Sequence, residues 1–153
     1  ASYEPGVFFV KQVSGLCPNT TYQFAAWIMN LNFTSACLGA SILPNVTFNI
    51  ESTSGTVLKT YSTGDIPTQS SAVWTQYGFF FTSDSSSGTV VLRMTNNAPG
   101  GCGNDLLLDD ITFRACGPLV NASVLGNSDS INVCTGETST FTFNEHVSAG
   151  YND

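Results

Sequence analysis

Residues 101 to 118 read GCGNDLLLDDITFRACGP, and the alternation in the middle of this stretch decides the fold. A run of β-forming residues is bracketed by Cys102 and Cys116 and contains a doubled aspartate, Asp109 and Asp110. Strict alternation puts Leu107, Asp109, Ile111 and Phe113 on one face, and Leu108, Asp110, Thr112 and Arg114 on the other. On that reading Asp109 shares an apolar face, where its carboxylate needs hydrogen bonds, a cation or a metal ion. Gly117-Pro118 stops the run. The stretch reads as the closing strand of a domain.

Upstream, the same period of two recurs. Residues 6–13 (GVFFVKQV) read as a strand, and Ser14-Gly15 turns it. In residues 20–31 (TTYQFAAWIMNL), Tyr22, Phe24, Ala26 and Ile28 share one face, while Gln23, Ala25, Trp27 and Met29 share the other. Residues 45–52 (NVTFNIES) place Val46, Phe48 and Ile50 inward, with Thr47, Asn49 and Glu51 outward. Ser54-Gly55 then turns the chain into residues 56–62 as a hairpin. In residues 72–82 (AVWTQYGFFFT) the interior Gly78 suggests a bulge. Val90, Leu92 and Met94 alternate with Val91, Arg93 and Thr95. No segment shows helical periodicity over three turns, so the chain is all-β, and about seven antiparallel strands suit a two-sheet sandwich. After Pro118, shorter strands at 120–125, 131–134 and 138–143 are expected to open a second sandwich domain.

Composition narrows the function. Of 153 residues 42% are hydrophobic, enough for a core, but only 10% are charged, so the surface is largely Ser, Thr, Asn and Gly. The net charge is −7, with four cations in all (Lys11, Lys59, Arg93 and Arg114), which leaves no footprint for nucleic-acid phosphates. No apolar run reaches membrane-spanning length, so no membrane insertion is expected. Ala1 opens directly into domain-like sequence, which suggests a processed or excised piece.

Five cysteines lie at 17, 37, 102, 116 and 134. If the strand near residues 22–31 runs antiparallel to 106–114, Cys17 meets Cys116 and Cys37 meets Cys102. The index sums of these pairs, 133 and 139, are nearly constant, as antiparallel pairing requires. Each bridge would contribute on the order of 3–5 kcal/mol in the chain-entropy account. Cys134 is left without a partner in this scheme. Disulfides of this kind place the chain in an oxidising compartment, secreted or at the cell surface.

The segments VSGLCPNTTYQFAAWIMN (13–30), VWTQYGFFFT (73–82) and GNDLLLDDITFRACGP (103–118) together resemble jelly-roll modules of the galactose-binding or carbohydrate-binding type. In particular they resemble those of large secreted multi-domain surface proteins of Bacteroidetes. The resemblance covers about residues 1–117 and implies a jelly-roll module whose N-terminal strand lies upstream of this chain. VCTGETSTFTF (133–143) resembles the opening of an immunoglobulin-like or PKD-like repeat, truncated here within residues 118–153. In related modules the closing-strand aspartate helps hold a structural calcium, which would place Asp109 and Asp110 on that ion. Asn104, Asp105 and Glu4 are further donors for the six to eight oxygens it needs. The other reading is a carboxylate bonded to loop amides. The Bacteroidetes resemblance also gives Asp129-Ser130-Ile131 the look of an O-glycosylation signal, with Ser130 as the modified residue.

By alternation Trp27 and Arg93 both leave the core face, so a platform of Trp27, Asn49, Glu51 and Arg93 is the candidate ligand site. The tryptophan would stack on a pyranose ring and the polar groups would bond its hydroxyls. The competing reading is an Arg93–Glu51 cross-strand pair covering Trp27 beneath a loop. A second candidate is the loop edge formed by residues 32–44 and 96–103, which a Cys37–Cys102 bridge would hold rigid. Catalysis has little to use, since the one histidine, His146, lies in the segment after Pro118 and no cysteine is expected free beside a base. The expected role is a non-catalytic adhesion or carbohydrate-binding module taking neutral glycan or another surface protein beside neighbouring domains of its own polypeptide. The alternative is a structural spacer.

Overall fold

The computed structural model describes residues 4–86 and 88–116, together with the backbone of 121–124 and 127–130. The chain divides into two compact units, Ala1–Pro118 and Leu119–Asp153. In the first, seven strands follow in order: β1 (Gly6–Ser14), β2 (Thr21–Asn30), β3 (Asn45–Glu51), β4 (Val57–Asp65), β5 (Thr75–Thr82), β6 (Thr89–Asn96) and β7 (Leu106–Ala115). They form two antiparallel sheets, β1-β6-β3-β4 and β5-β2-β7. This is a two-sheet β-sandwich of the jelly-roll kind, with no α-helix among the described residues.

The alternation of each strand explains the packing. Phe24, Ala26 and Ile28 of β2 point between the sheets, as do Val46, Phe48 and Ile50 of β3 and Val90, Leu92 and Met94 of β6, all essentially inaccessible. Phe24 and Phe48 meet edge-to-face across the sandwich, with ring centroids 5.2 Å apart. Burying side chains of this size stabilises by roughly 1.5–3 kcal/mol each. Tyr61 of β4 stacks on Phe79 of β5, closing one side of the core.

The closing strand departs from strict alternation. Leu106, Leu108, Ile111 and Phe113 pack on the core, so the inward set shifts by one residue between Leu108 and Ile111. Opposite β2 the register shifts at the same place, Ala25 facing Thr112 and Trp27 facing Asp109. This is a β-bulge, and Asp110 takes φ 46° within it. The bulge turns both carboxylates to solvent, and Asp109 Oδ1 accepts from the Asp110 N–H at 2.8 Å. Asp109 is therefore not on the apolar face that period-two reading gave it.

Gly78 needs a different explanation from the expected bulge. The β2–β5 register is unbroken from Thr21↔Thr82 to Ile28↔Thr75. A Cβ at Gly78 would come 2.5 Å from the Phe24 carbonyl oxygen and 2.6 Å from Ala25 Cβ. The glycine lets the two strands approach closely over Ala25.

The second unit carries a hairpin of β8 (Asn121–Val124) and β9 (Asn127–Ser130), with Asn121 opposite Ser130. The second strand, Asn127–Ser130, comes earlier than the 131–134 expected for it. Strands expected at 131–134 and 138–143 lie outside the described residues, as do Cys134 and the Ser130 side chain.

Candidate functional site

Residues directly opposite in a sheet share a face, so the register of β5-β2-β7 maps its outer surface row by row. Phe80, Gln23 and Arg114 form one row, Gly78, Ala25 and Thr112 the next, and Gln76, Trp27 and Asp109 the third. Beyond them Met29 faces Leu107. The middle row has no tall side chain, so it is a floor between walls. Phe80 is 60% exposed on one side of it and Trp27 36% exposed on the other. With two residues between rows, the backbone rows that carry these residues lie about 13 Å apart along the strands. Trp74, just before β5 and of the same parity as Gln76, is 40% exposed. Arg114 donates to Gln23 Oε1 through Nη2 at 3.0 Å and Nε at 3.3 Å, which fixes a polar edge beside Phe80.

Of the expected platform, the structure brings three residues together and separates the fourth. Asn49, Glu51 and Arg93 lie on the outer surface of the four-stranded sheet, where Arg93 faces Asn49 and Glu51 sits diagonally. Arg93 Nε donates to both Glu51 oxygens at 2.9 and 3.1 Å, and Glu51 is only 6% exposed. Asn49 Oδ1 is buried without a hydrogen-bond partner. Trp27 belongs to the other sheet. The two inner faces pack on each other through Phe24 and Phe48, so the outer faces point in opposite directions. The cross-strand pair exists, but it does not cover Trp27, and Trp27 does not stand beside Arg93.

Asp109 and Asp110 stay exposed at the bulge. Among the described residues no group of three or more His, Cys, Asp or Glu side chains converges as a metal site would. Asn104, expected as a donor there, is bonded instead to Asn96 Nδ2 through its carbonyl and to the Ala98 and Pro99 carbonyls through its amide.

The loop edge is organised as a cleft. Cys37 and Cys102 are bonded, with Cα atoms 5.8 Å apart. Ile42 bridges to Gly103, its N–H donating to Cys102 O at 3.0 Å and its carbonyl accepting from the Asn104 N–H at 2.7 Å. The cleft has a volume of about 500 Å³ and is lined by Ser41, Ile42, Leu43, Asn45, Asp65, Asn97, Ala98 and Pro99. Nearby, Cys37, Leu38 and Gly39 take φ values of 53°, 58° and 81°, leaving Leu38 fully exposed.

The other expected bridge does not form. Cys116 is a free, exposed thiol, and Cys17 is disulfide-bonded but not to it. The reason lies in the register. Tyr22 faces Ala115, and the Cys116 N–H donates to Thr21 O, four residues past Cys17. The turn at Pro18-Asn19, with Asn19 at φ 52°, leads Cys17 off the strand. There its carbonyl accepts from Ser83 Oγ at 2.6 Å, just past the end of β5, and its N–H donates to Tyr22 Oη at 2.7 Å.

No protein-family profile matches the chain. No curated protein matches it either. Solved structures do, among them one titled "CBM4 structure and function", at 15% identity and a TM-score of 0.48. The match covers 71% of this chain and 60% of that one, so the chain spans less than two thirds of that structure's length.

Phe80, Trp74, Gln76 and Arg114 were not among the expected site residues. For the first three the signal was present: parity in VWTQYGFFFT puts Trp74, Gln76, Gly78 and Phe80 on one face.

Proposed function

We propose that this chain is a non-catalytic carbohydrate-binding module that takes neutral glycan across the outer face of β5-β2-β7. The observation carrying this reading is the floor of Gly78 and Ala25 held between exposed Phe80 and Trp27. A pyranose ring is apolar on its C–H faces and polar at its rim. Aromatic walls serve the first, and Gln23, Arg114, Gln76 and Asp109 serve the second. The net charge of −7 disfavours acidic polysaccharides. The same features disfavour a pure spacer, which would need neither an aromatic platform nor a clamped cleft.

The Cys37–Cys102 bridge supports placement in an oxidising, extracellular setting, secreted or on a surface, where adhesion is the natural use of glycan binding. Residues 118–153 are then the opening of a neighbouring immunoglobulin-like or PKD-like domain. Ser130 would be the site of glycosylation in that segment. A calcium ion at the Asp109–Asp110 bulge, if present, would serve stability rather than recognition.

The test is titration with neutral hexaoses of glucose, xylose and mannose, followed by tryptophan fluorescence. A saturable shift is expected with one of them. Trp27→Ala and Phe80→Ala should each weaken binding by about tenfold or more. Absence of any shift across the panel would remove this reading and leave the spacer.

A further inference from the structure

The cleft at the loop edge is divided by chemistry. Ile42, Ala98 and Pro99 give it an apolar wall, and Asn45, Asp65 and Asn97 a polar one. The donors of the polar wall are already engaged. Asn97 Nδ2 donates to Asn45 Oδ1 at 2.9 Å and to Thr47 Oγ1 at 2.7 Å. Asn45 Nδ2 donates to Asp65 Oδ1 at 2.8 Å. The backbone N–H groups of Ile42, Asn45, Asn97 and Ala98 are all bonded within the protein. What remains unspent among these groups is acceptor capacity: the second Asp65 oxygen and the side-chain carbonyl of Asn97. Among the described residues, Asp65 is the only charged one lining the cleft.

Such a wall favours a ligand that donates, carries no negative charge and has one apolar flank. A primary ammonium offers three donors and no acceptor, and its charge complements Asp65 in a molecule of net charge −7. A lysine side chain would also satisfy the carboxylate, but its narrow stem covers less of the apolar wall than the flat face of a ring does. A ring fills both. We propose that this cleft is a second, separate binding site for an amino sugar, with its C–H face against Ile42 and Pro99 and its ammonium on Asp65. The site shares no residue with the Trp27 face and does not rest on it. The Cys37–Cys102 bond and the Ile42–Gly103 bridge hold its walls in place before the ligand arrives, which lowers the entropy lost on binding.

The experiment is NMR titration of the full chain with glucosamine, glucose, N-acetylglucosamine and Nα-acetyl-lysine amide, below the amine pKa and at low salt. Glucosamine is expected to shift the amide signals of residues 41–45 and 97–98 saturably, and to bind roughly three- to fivefold tighter than either neutral sugar. The preference should vanish in Asp65→Asn and fade at high salt, while Trp27→Ala leaves it intact. The double variant Cys37→Ser/Cys102→Ser should weaken binding of all the sugars here, with melting curves confirming that it folds. Equal affinity for the three sugars would overturn the role of Asp65. Equal binding of the lysine amide would overturn the ring, and loss in Trp27→Ala would place the ligand on the sheet face instead. No saturable shift at 41–45 would overturn the site itself.

Discussion

Asp110 shows how one residue hides from a pattern. At φ 46° it sits where L side chains crowd their own backbone, a conformation that Asp tolerates and β-branched residues do not. Asp110→Gly is expected to be neutral or to stabilise by up to about 1 kcal/mol, and Asp110→Val to cost about 1–2 kcal/mol. Denaturant midpoints would check both, and equal midpoints would sink the bulge argument. Period-two reading cannot register an inserted residue, because the bulge exchanges the faces without any change of composition. Only the doubled aspartate inside an apolar run hinted at it. Tyr77 makes a second residue-level case. Burial against the core, then the neighbouring Tyr61, holds its phenol above the usual value of about 10, although Thr75 opposes the shift with a hydrogen bond. The unfolded chain then loses this proton first. The stability Tyr77 contributes is intact below pH 10 and falls as pH rises beyond it. Tyr77→Phe should flatten that part of a melting temperature against pH curve, and an unchanged slope would exclude Tyr77 as its source.

At the scale of elements, strand positions and inward faces were readable from the sequence, because β3 and β6 alternate cleanly along their apolar residues and β2 does so apart from Ala25 and Met29, which are buried on its outer side. The supposition that β2 runs antiparallel to β7 brought Cys37 to Cys102, and both the pairing and that bridge are present. What alternation cannot supply is which outside a residue faces. A sandwich has two outer surfaces, and parity marks Trp27 and Arg93 alike as outward although they lie on opposite sheets. The Cys17–Cys116 pairing failed for a related reason, since the turn at Asn19 interrupts the straight extrapolation from Tyr22. The Arg93–Glu51 pair is thereby assigned to stability. Removing its cation leaves a buried carboxylate with neither of its two hydrogen bonds. Arg93→Ala should cost about 1–3 kcal/mol in chemical denaturation, discounted for the partial exposure of the guanidinium. Glycan titration of the same variant should match the parent. A marked loss of affinity would return Arg93 to the binding surface.

For the whole molecule, the Cys37–Cys102 bond has a consequence under load. It closes a loop spanning 65 positions, which includes all of β3, β4, β5 and β6. In a Cys17→Ser variant, which removes the separate disulfide at Cys17, a chain pulled from its two ends transmits force through the bridge, so those residues cannot pay out as the unit ruptures. At about 3.5 Å per extended residue, roughly 220 Å of contour is withheld. Single-molecule stretching should show a rupture step shorter by that length than the residue count allows, and the step should recover the difference when a reductant is present. A full-length step without reductant would show that the bridge does not bear the load. The covalent clamp that shapes the loop edge thus also sets how far this unit can be drawn out before it reaches its stop.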